Sequence, residues 1–552
     1  MNSRERLEIA FYLLSLSCTV LGIRTQSLLL SGPAFLGLFV GVFRGYKTAL
    51  CGLAISLAVL FPGASFGMGY GRDTHITAFW SSQILEQGWP LPAKEIARGF
   101  PETPLIHSLA GVLSLVTDLR LAPGPRRVSV AMLLPAVLVS VVLFFAWSVI
   151  RRTQNTHDRR RVLTVLPLLL WVPFFAKKTA FRRQSLGIVM FAITVYLVYI
   201  YYQNTDRRIG YLLMLFSPVV VLTHHLSSMF SLAFLGSAAI IYVLNQERIL
   251  TKQLVFSFIL LLISFATWYV TTGLGGEFIV GLLGYVIGSI TPPGGLIELL
   301  LGKGTETQPV SVRSSVWFLI RTTFSKVLFV GILGIVITAG VFTRYYREHP
   351  IILYSFIYGI FNLFLFISLF VVGIGSLTRI LTFAVVALVP IAMITIHRFE
   401  SEFELGSGPA HVVCLVLLLL GAMMVPASYV SEASPEYENG VVSERYQANE
   451  YNTAEFLRQY GGAEQIVADA NYNGLLVMSG QKTTISDYTV VRGSSDLGDR
   501  YLLLEERNHR LFFGYYEGVW SSIRPEKPFT RASTQYSQVY SSQKSVVWRQ
   551  TL

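Results

Sequence analysis

IILYSFIYGIFNLFLFISLFVV, residues 351–372, decides the class of fold. It carries no charged side chain, and at ~1.5 Å of rise per residue a helix of this length crosses about 30 Å of hydrocarbon. Similar apolar runs fall at 7–23, 27–43, 47–63, 128–150, 162–176, 185–202, 210–223, 228–244, 254–272, 327–344, 380–396 and 410–428. Together they predict a polytopic α-helical membrane protein of about thirteen transmembrane helices. The run 104–118 is shorter and lies between Pro104 and Asp118, so it reads as interfacial or re-entrant.

Composition agrees. Hydrophobic residues make up 53% of the 552 and charged residues 14%, with a mean hydropathy of +0.54. Soluble domains carry about 25% charged residues. The net charge of +12 falls mainly in short loops between apolar runs, so it points to membrane orientation and not to nucleic acid. Cys18, Cys51 and Cys414 all lie inside apolar runs, which gives neither a disulfide framework nor metal-ligand spacing. The first apolar run has no small-residue cleavage site after it and reads as a retained span.

Loop charge sets the expected orientation. With the N-terminus inside, the inner loops hold Arg4, Arg6, Arg44, Lys47, Arg151, Arg152, Arg159 to Arg161, Arg207, Arg208, Arg248, Lys252, Arg344, Arg347 and Arg398. The short outer loops hold only Arg24, Lys177, Lys178, Arg182, Arg183 and Arg379. This asymmetry predicts a multi-pass protein of the cell membrane with a cytoplasmic N-terminus. One outer face then carries the loop 64–127, the Lys177–Arg183 cluster, the loop 273–326 and the C-terminal tail. Residues 1–430 form the membrane domain. Residues 431–552 are polar and Tyr-rich, and they read as a small extracytoplasmic α/β domain. Its helix is expected to start at Asn452-Thr453-Ala454-Glu455, and its buried strands at Gln465–Asp469 and Tyr501–Leu504. Leu511–Phe513 and Ser545–Trp548 are further strand candidates.

The candidate chemistry sits on the outer face. Asp73, in Gly71-Arg72-Asp73-Thr74-His75, has two readings. It can act as a general base on an acceptor hydroxyl, or it can cap a short helix beginning at Ile76. His75 can contact phosphate or acceptor, or be a solvated loop residue. Glu102, between Pro101 and Pro104, can orient an acceptor or a metal, or complement a helix dipole. His224 and His225 separate two spans, so they need polar partners. On one helix, adjacent histidines would project in different directions, which disfavours a shared metal. Lys178, Arg182 and Arg183 break the inside-positive pattern, which suits a donor phosphate or anionic headgroups. Arg379, at the outer entrance of a late span, can grip a phosphate bidentately or snorkel. The loop 273–326 holds two apolar pieces around Thr291-Pro292-Pro293-Gly294-Gly295, which suggests helices lying on the membrane.

These features resemble the GT-C superfamily of membrane glycosyltransferases, in particular archaeal and bacterial members related to protein mannosyltransferases and aminoarabinose transferases. The likeness rests on Arg72-Asp73-Thr74-His75 in the first large outer loop and on Phe100-Pro101-Glu102-Thr103-Pro104-Leu105 before an apolar helix. Arg379 before a late span and a small extracytoplasmic C-terminal domain complete it. As architecture the likeness covers most of the chain. Thr74 stands where such relatives carry a second acid. The Trp-Trp-Asp-Tyr-Gly motif of oligosaccharyltransferase subunits is absent from 431–552, which disfavours en bloc glycan transfer. The resemblance implies a polyprenyl- or dolichyl-phosphate-linked sugar as donor and a glycan, lipid or protein as acceptor, as in protein glycosylation or cell-envelope assembly. It also implies inversion at the anomeric carbon with Asp73 as base, and no obligate cofactor; a divalent metal at the loop carboxylates stays open. Two rival classes remain. A polysaccharide polymerase or ligase would rest on Arg313, Arg321 and Arg379. A transporter would show repeats and mid-membrane charges, and the sequence displays neither.

Overall fold

The structure, a computed structural model, describes residues 72–87, 104–121, 183–204, 206–245, 251–271, 325–344, 351–371, 377–402, 448–461, 466–468, 483–485, 500–505, 512–516, 519–523, 536–541 and 545–550, with a few shorter stretches such as 129–131. Helix predominates among them. The expected spans at 27–43, 47–63, 162–176 and 410–428, most of 7–23 and 128–150, and almost all of the loop 273–326 lie outside the described residues.

Two helices come first, α1 (Arg72–Gln87) and α2 (Pro104–Thr117). Then come α3 (Arg183–Asn204), α4 (Arg207–Val221), α5 (His225–Asn245), α6 (Thr251–Thr271), α7 (Ser325–Phe342), α8 (Ile351–Val371) and α9 (Leu377–Glu402). The expected spans from 185–202 to 380–396 match α3 to α9 within a few residues at most ends. Most of these helices start before their apolar runs, because polar residues such as Gln184 and Thr378 join the same backbone ladder. α4 starts on Asp206, whose Oδ1 accepts the Arg208 N–H at 2.9 Å, a side-chain cap for an orphan donor. α3 and α6 are each long and apolar enough to cross a membrane, by length and composition.

The helices α3 to α9 pack in alternating directions. Close approaches at glycines and aromatic contacts fix their ends. Gly340 of α7 lies against Ile352 at the start of α8 and Thr395 late in α9. The Tyr202 and Tyr354 rings meet at 5.6 Å, joining the end of α3 to the start of α8. Gly210 approaches Tyr201 and Gln253, and the Tyr201 hydroxyl donates to Gln253 Oε1 at 2.6 Å. One end of the bundle therefore carries Asn204, Arg207, Asn245, Thr251, Phe342 and Ile351. The starts of α3, α5, α7 and α9 belong to the opposite end. α3 lies mostly inside the bundle, with 78% of its apolar window buried, against 28% for α6. The outward side chains of the peripheral helices are apolar, among them Leu215, Ile263, Val270 and Ile335.

In the C-terminal part, β1 (Ile466–Ala468), β2 (Thr483–Ile485), β3 (Tyr501–Glu505), β6 (Tyr536–Ser541) and β7 (Ser545–Gln550) form one sheet in the order β2-β1-β3-β7-β6. β1 pairs in parallel with β2 and β3, whereas β7 is antiparallel to β3 and β6. β4 (Phe512–Tyr516) and β5 (Val519–Ile523) form a separate antiparallel pair. The helix α10 (Ala448–Tyr460) covers one face of the sheet, burying Ala454 and Leu457 with Ile466, Leu503 and Val547. It begins four residues before the expected start at Asn452. Glu450 and Thr453 are both buried, so its first turn is held by tertiary packing that the capping pattern does not register.

Candidate functional site

Three helix starts meet side by side. Phe191 of α3 contacts Phe234 of α5 at 6.3 Å and Phe383 of α9 at 5.4 Å. The Phe230 and Phe383 rings stack at 4.4 Å, with 15° between their planes. Phe230 is five residues into α5 from His225, and Phe383 is four residues beyond Arg379. At ~1.5 Å per residue, His225 and Arg379 thus stand roughly 6–8 Å along their axes from one stacked ring pair. Arg183 opens α3, roughly 12 Å along the axis from Phe191. The backbone therefore gathers Arg183, His225 and Arg379 at one end of the bundle.

The turn between α4 and α5 is built for this end. Thr223 Oγ1 donates to Val220 O at 2.6 Å and closes α4. His224 precedes α5 as its N-cap residue, and its carbonyl accepts both the Ser228 N–H and the Ser228 Oγ–H at 3.1 Å. His224 is buried and His225 half-buried. Their rings stack at 4.3 Å, with 28° between planes. The divergence of the two side chains expected from sequence holds only if both residues are helical. His224 lies outside the helix, and its non-helical backbone brings the rings together. Across from this turn, Gly187 of α3 leaves room for Ser227 and His224. Small residues at such crossings let two helix backbones approach closely.

α1 and α2 join the same end. The Leu105 N–H donates to Leu222 O at 3.4 Å, tying the first turn of α2 to the turn before His224. His107 Nδ1 lies 3.2 Å from Thr77 O and 3.2 Å from Ser81 Oγ. Further along, Gly111 meets Leu85. The contacts advance together along both helices, so α1 and α2 run in the same direction and both start near the α4–α5 turn. Asp73 and His75 occupy the first turn of α1. The alternative in which Asp73 caps a helix beginning at Ile76 does not match this backbone, because α1 begins at Arg72 and Asp73 is already helical. α2 ends where Asp118 adopts φ 55°, a left-handed turn that Asp tolerates.

Glu102, Lys178, Arg182, Arg313 and Arg321 lie outside the described residues. Glu102 is two residues from the start of α2, and Arg182 one residue from the start of α3. Among the described residues no group of three or more His, Cys, Asp or Glu side chains is placed to hold a metal ion. Buried polar groups here that the sequence does not single out include His107, Gln184, Ser185, Thr223, Ser227 and Ser228. His107 carries a usable signal, an imidazole three residues after Pro104 in a mostly apolar helix with no charged side chain. The others are small or uncharged, and only the packing distinguishes them. No family model matches the chain, and no curated protein matches it.

Proposed function

We propose that this chain is a GT-C-like membrane glycosyltransferase that moves a sugar from a polyprenyl- or dolichyl-phosphate donor to a glycan, lipid or protein acceptor. The observation that supports this reading is the gathering of Asp73, Arg183, His225 and Arg379 at one end of the bundle, from helices far apart in sequence. In this reading the bundle, of about thirteen spans, lies in the cell membrane. The outward apolar side chains of α4, α6 and α7 suit that solvent. The N-terminus is cytoplasmic, and the residues after 430 are extracytoplasmic.

The chemistry is a single inverting displacement. The acceptor oxygen attacks the anomeric carbon while the bond from that carbon to the phosphate oxygen breaks. The acceptor proton passes to the Asp73 carboxylate, and the electron pair leaves on the lipid phosphate. Three adjacent helix starts, α3, α5 and α9, direct their positive dipole ends toward that end. Arg379 and Arg183 add full charges, and a guanidinium can hold two phosphate oxygens at once. His75, Glu102, Lys178, Arg182, His224 and His225 are the remaining donor and acceptor contacts in this scheme.

The test is transfer in proteoliposomes with polyprenyl-phosphate-linked hexoses, followed by release of the lipid phosphate. Asp73→Asn keeps size and most hydrogen bonding but cannot take the proton, so turnover should fall by ~10²–10⁴-fold. Arg379→Lys should also lose most activity, because lysine lacks the planar fork. Near-normal turnover by Asp73→Asn refutes its role as base, and wild-type transfer by Arg379→Ala refutes the phosphate grip.

A further inference from the structure

We propose that His107 is a positioning residue that anchors α1 at Thr77 and Ser81, and through them the preceding turn that carries Asp73, by donating a hydrogen bond from Nδ1. The link to Asp73 as base rests on the transferase reading; the hydrogen-bond assignment does not.

His107 is fully buried on the inner face of α2, with Ile106, Ala110 and Gly111. Two atoms of α1 face its Nδ1, Thr77 O and Ser81 Oγ, each at 3.2 Å. A carbonyl oxygen only accepts. The Ser81 hydroxyl has one proton, and it is directed at Thr77 O, 2.7 Å away. Both groups therefore present lone pairs to His107, so Nδ1 carries the hydrogen. This fixes the ring as the Nδ1–H form, in which one donor grips two successive turns of α1.

That grip has a direction. Thr77 is one turn beyond Asp73, ~6 Å along the axis. α2 is in turn tied to the bundle through the Leu105 N–H and Leu222 O, next to His224 and His225. Hydrogen bonds thus connect the Asp73 turn to the α4–α5 turn through α2, with His107 as the middle link. The adjoining contact of Leu85 with Gly111 is apolar and sets only the spacing. The directional bond acts with the burial of Ala78 and Trp80 to set the rotation of α1 about its own axis, which decides where a residue at position 73 points.

Amide side chains test the assignment. Asparagine places an N–H donor close to where imidazole Nδ1 sits, whereas glutamine places its donor about where Nε2 sits. In a background with Cys18, Cys51 and Cys414 replaced by Ala, spin labels on Asp73→Cys and His225→Cys report the separation of the two turns. The distance distribution should stay narrow in His107→Asn and broaden or shift in His107→Gln and His107→Leu. In the transfer assay, His107→Asn should keep kcat within about threefold, and His107→Gln should lose about 10²-fold in kcat with little change in KM, the usual cost of ~1 Å of misplacement. Nitrogen NMR of the histidine-labelled full chain should show a protonated Nδ1 at His107. An Nε2–H ring, or a His107→Gln distribution identical to wild type, overturns the proposal. If the wild-type chain transfers no sugar, the transferase reading fails, while the spin-label and NMR arms still decide the role of His107. Should His107→Leu fail to fold, the comparison of Asn with Gln remains decisive.

Discussion

Replacing Gly187 by alanine should loosen the candidate site without touching any of its charged residues. An added Cβ would overlap Ser227 Oγ, lie 2.9 Å from Ser227 Cβ and 3.0 Å from His224 Cβ. Carbon pairs in contact prefer about 3.5–4.0 Å. The Ser227 hydroxyl can rotate away, but its Cβ and that of His224 are fixed to the backbone at and just before the start of α5. Relief therefore needs α3 and α5 to separate by several tenths of an ångström at their starts. Overpacking of this kind costs about 1–3 kcal/mol. In a chain this long the measurable quantity is the apparent Tm in detergent, which should fall by a few degrees. Gly187→Ala with Ser227→Gly removes two of the three clashes, so the pair should recover much of the loss, giving a favourable coupling in a double-mutant cycle. The spacing of Arg183 from His225 should widen as well, read by cross-linking of paired cysteines. A Gly187→Ala protein with wild-type Tm and wild-type cross-linking would show that α3 and α5 do not meet at these residues.

Three other expectations follow from the same packing and charge. Gly340→Ala would set a Cβ 2.7 Å from Thr395 Cγ2 and 3.3 Å from Ile352 Cγ2, so it should lower Tm, and Thr395→Ser should partly restore it; an unchanged Tm in Gly340→Ala argues against that crossing. In α10 the Glu455 carboxyl is held below its ordinary value, first by the Arg458 hydrogen bond at 2.9 Å. Its folded value lies below the unfolded one, so its contribution is present above the unfolded value and fades as pH falls through the folded one. Hydrogen exchange of α10 should therefore quicken modestly as pH falls through that window once intrinsic exchange is corrected, and Arg458→Ala should abolish the difference; an unaltered pH dependence in the variant would count against the pair. Finally, reporters fused at Asn155 and Ser434 should label opposite sides of the membrane; labelling of the same side would reverse the expected orientation.

Much of the helical layout is legible in the amino-acid sequence. The runs at 185–202, 254–272 and 351–372 lie within two residues of α3, α6 and α8 at all but one end, because a long uninterrupted apolar run coils as one continuous helix that stops near where polar residues return. β1 and β3 are legible as short buried apolar runs. β2 escapes notice since Thr483–Ile485 is only three residues long. β6 escapes it because Tyr536–Ser541 is an edge strand with mostly exposed side chains, so its sequence lacks the apolar signal of a buried strand. The candidate residues divide in the same way. Asp73, His225 and Arg379 can be picked out one at a time, since charged or titratable side chains beside apolar runs are conspicuous.

That their turns share one end is decided by contacts between segments far apart in sequence. The Phe230–Phe383 stack, the Gly187 approach to Ser227 and the Leu105 bond to Leu222 have no local signature. The role of His107 is of this kind too. Its residue type is plain in the sequence, but its proton is assigned only by the two acceptors that α1 brings to it. Hydrophobic runs fix where helices begin and end because that depends on neighbours along the chain. Which helix starts stand together depends on how side chains interlock in space, and only the packed structure supplies that.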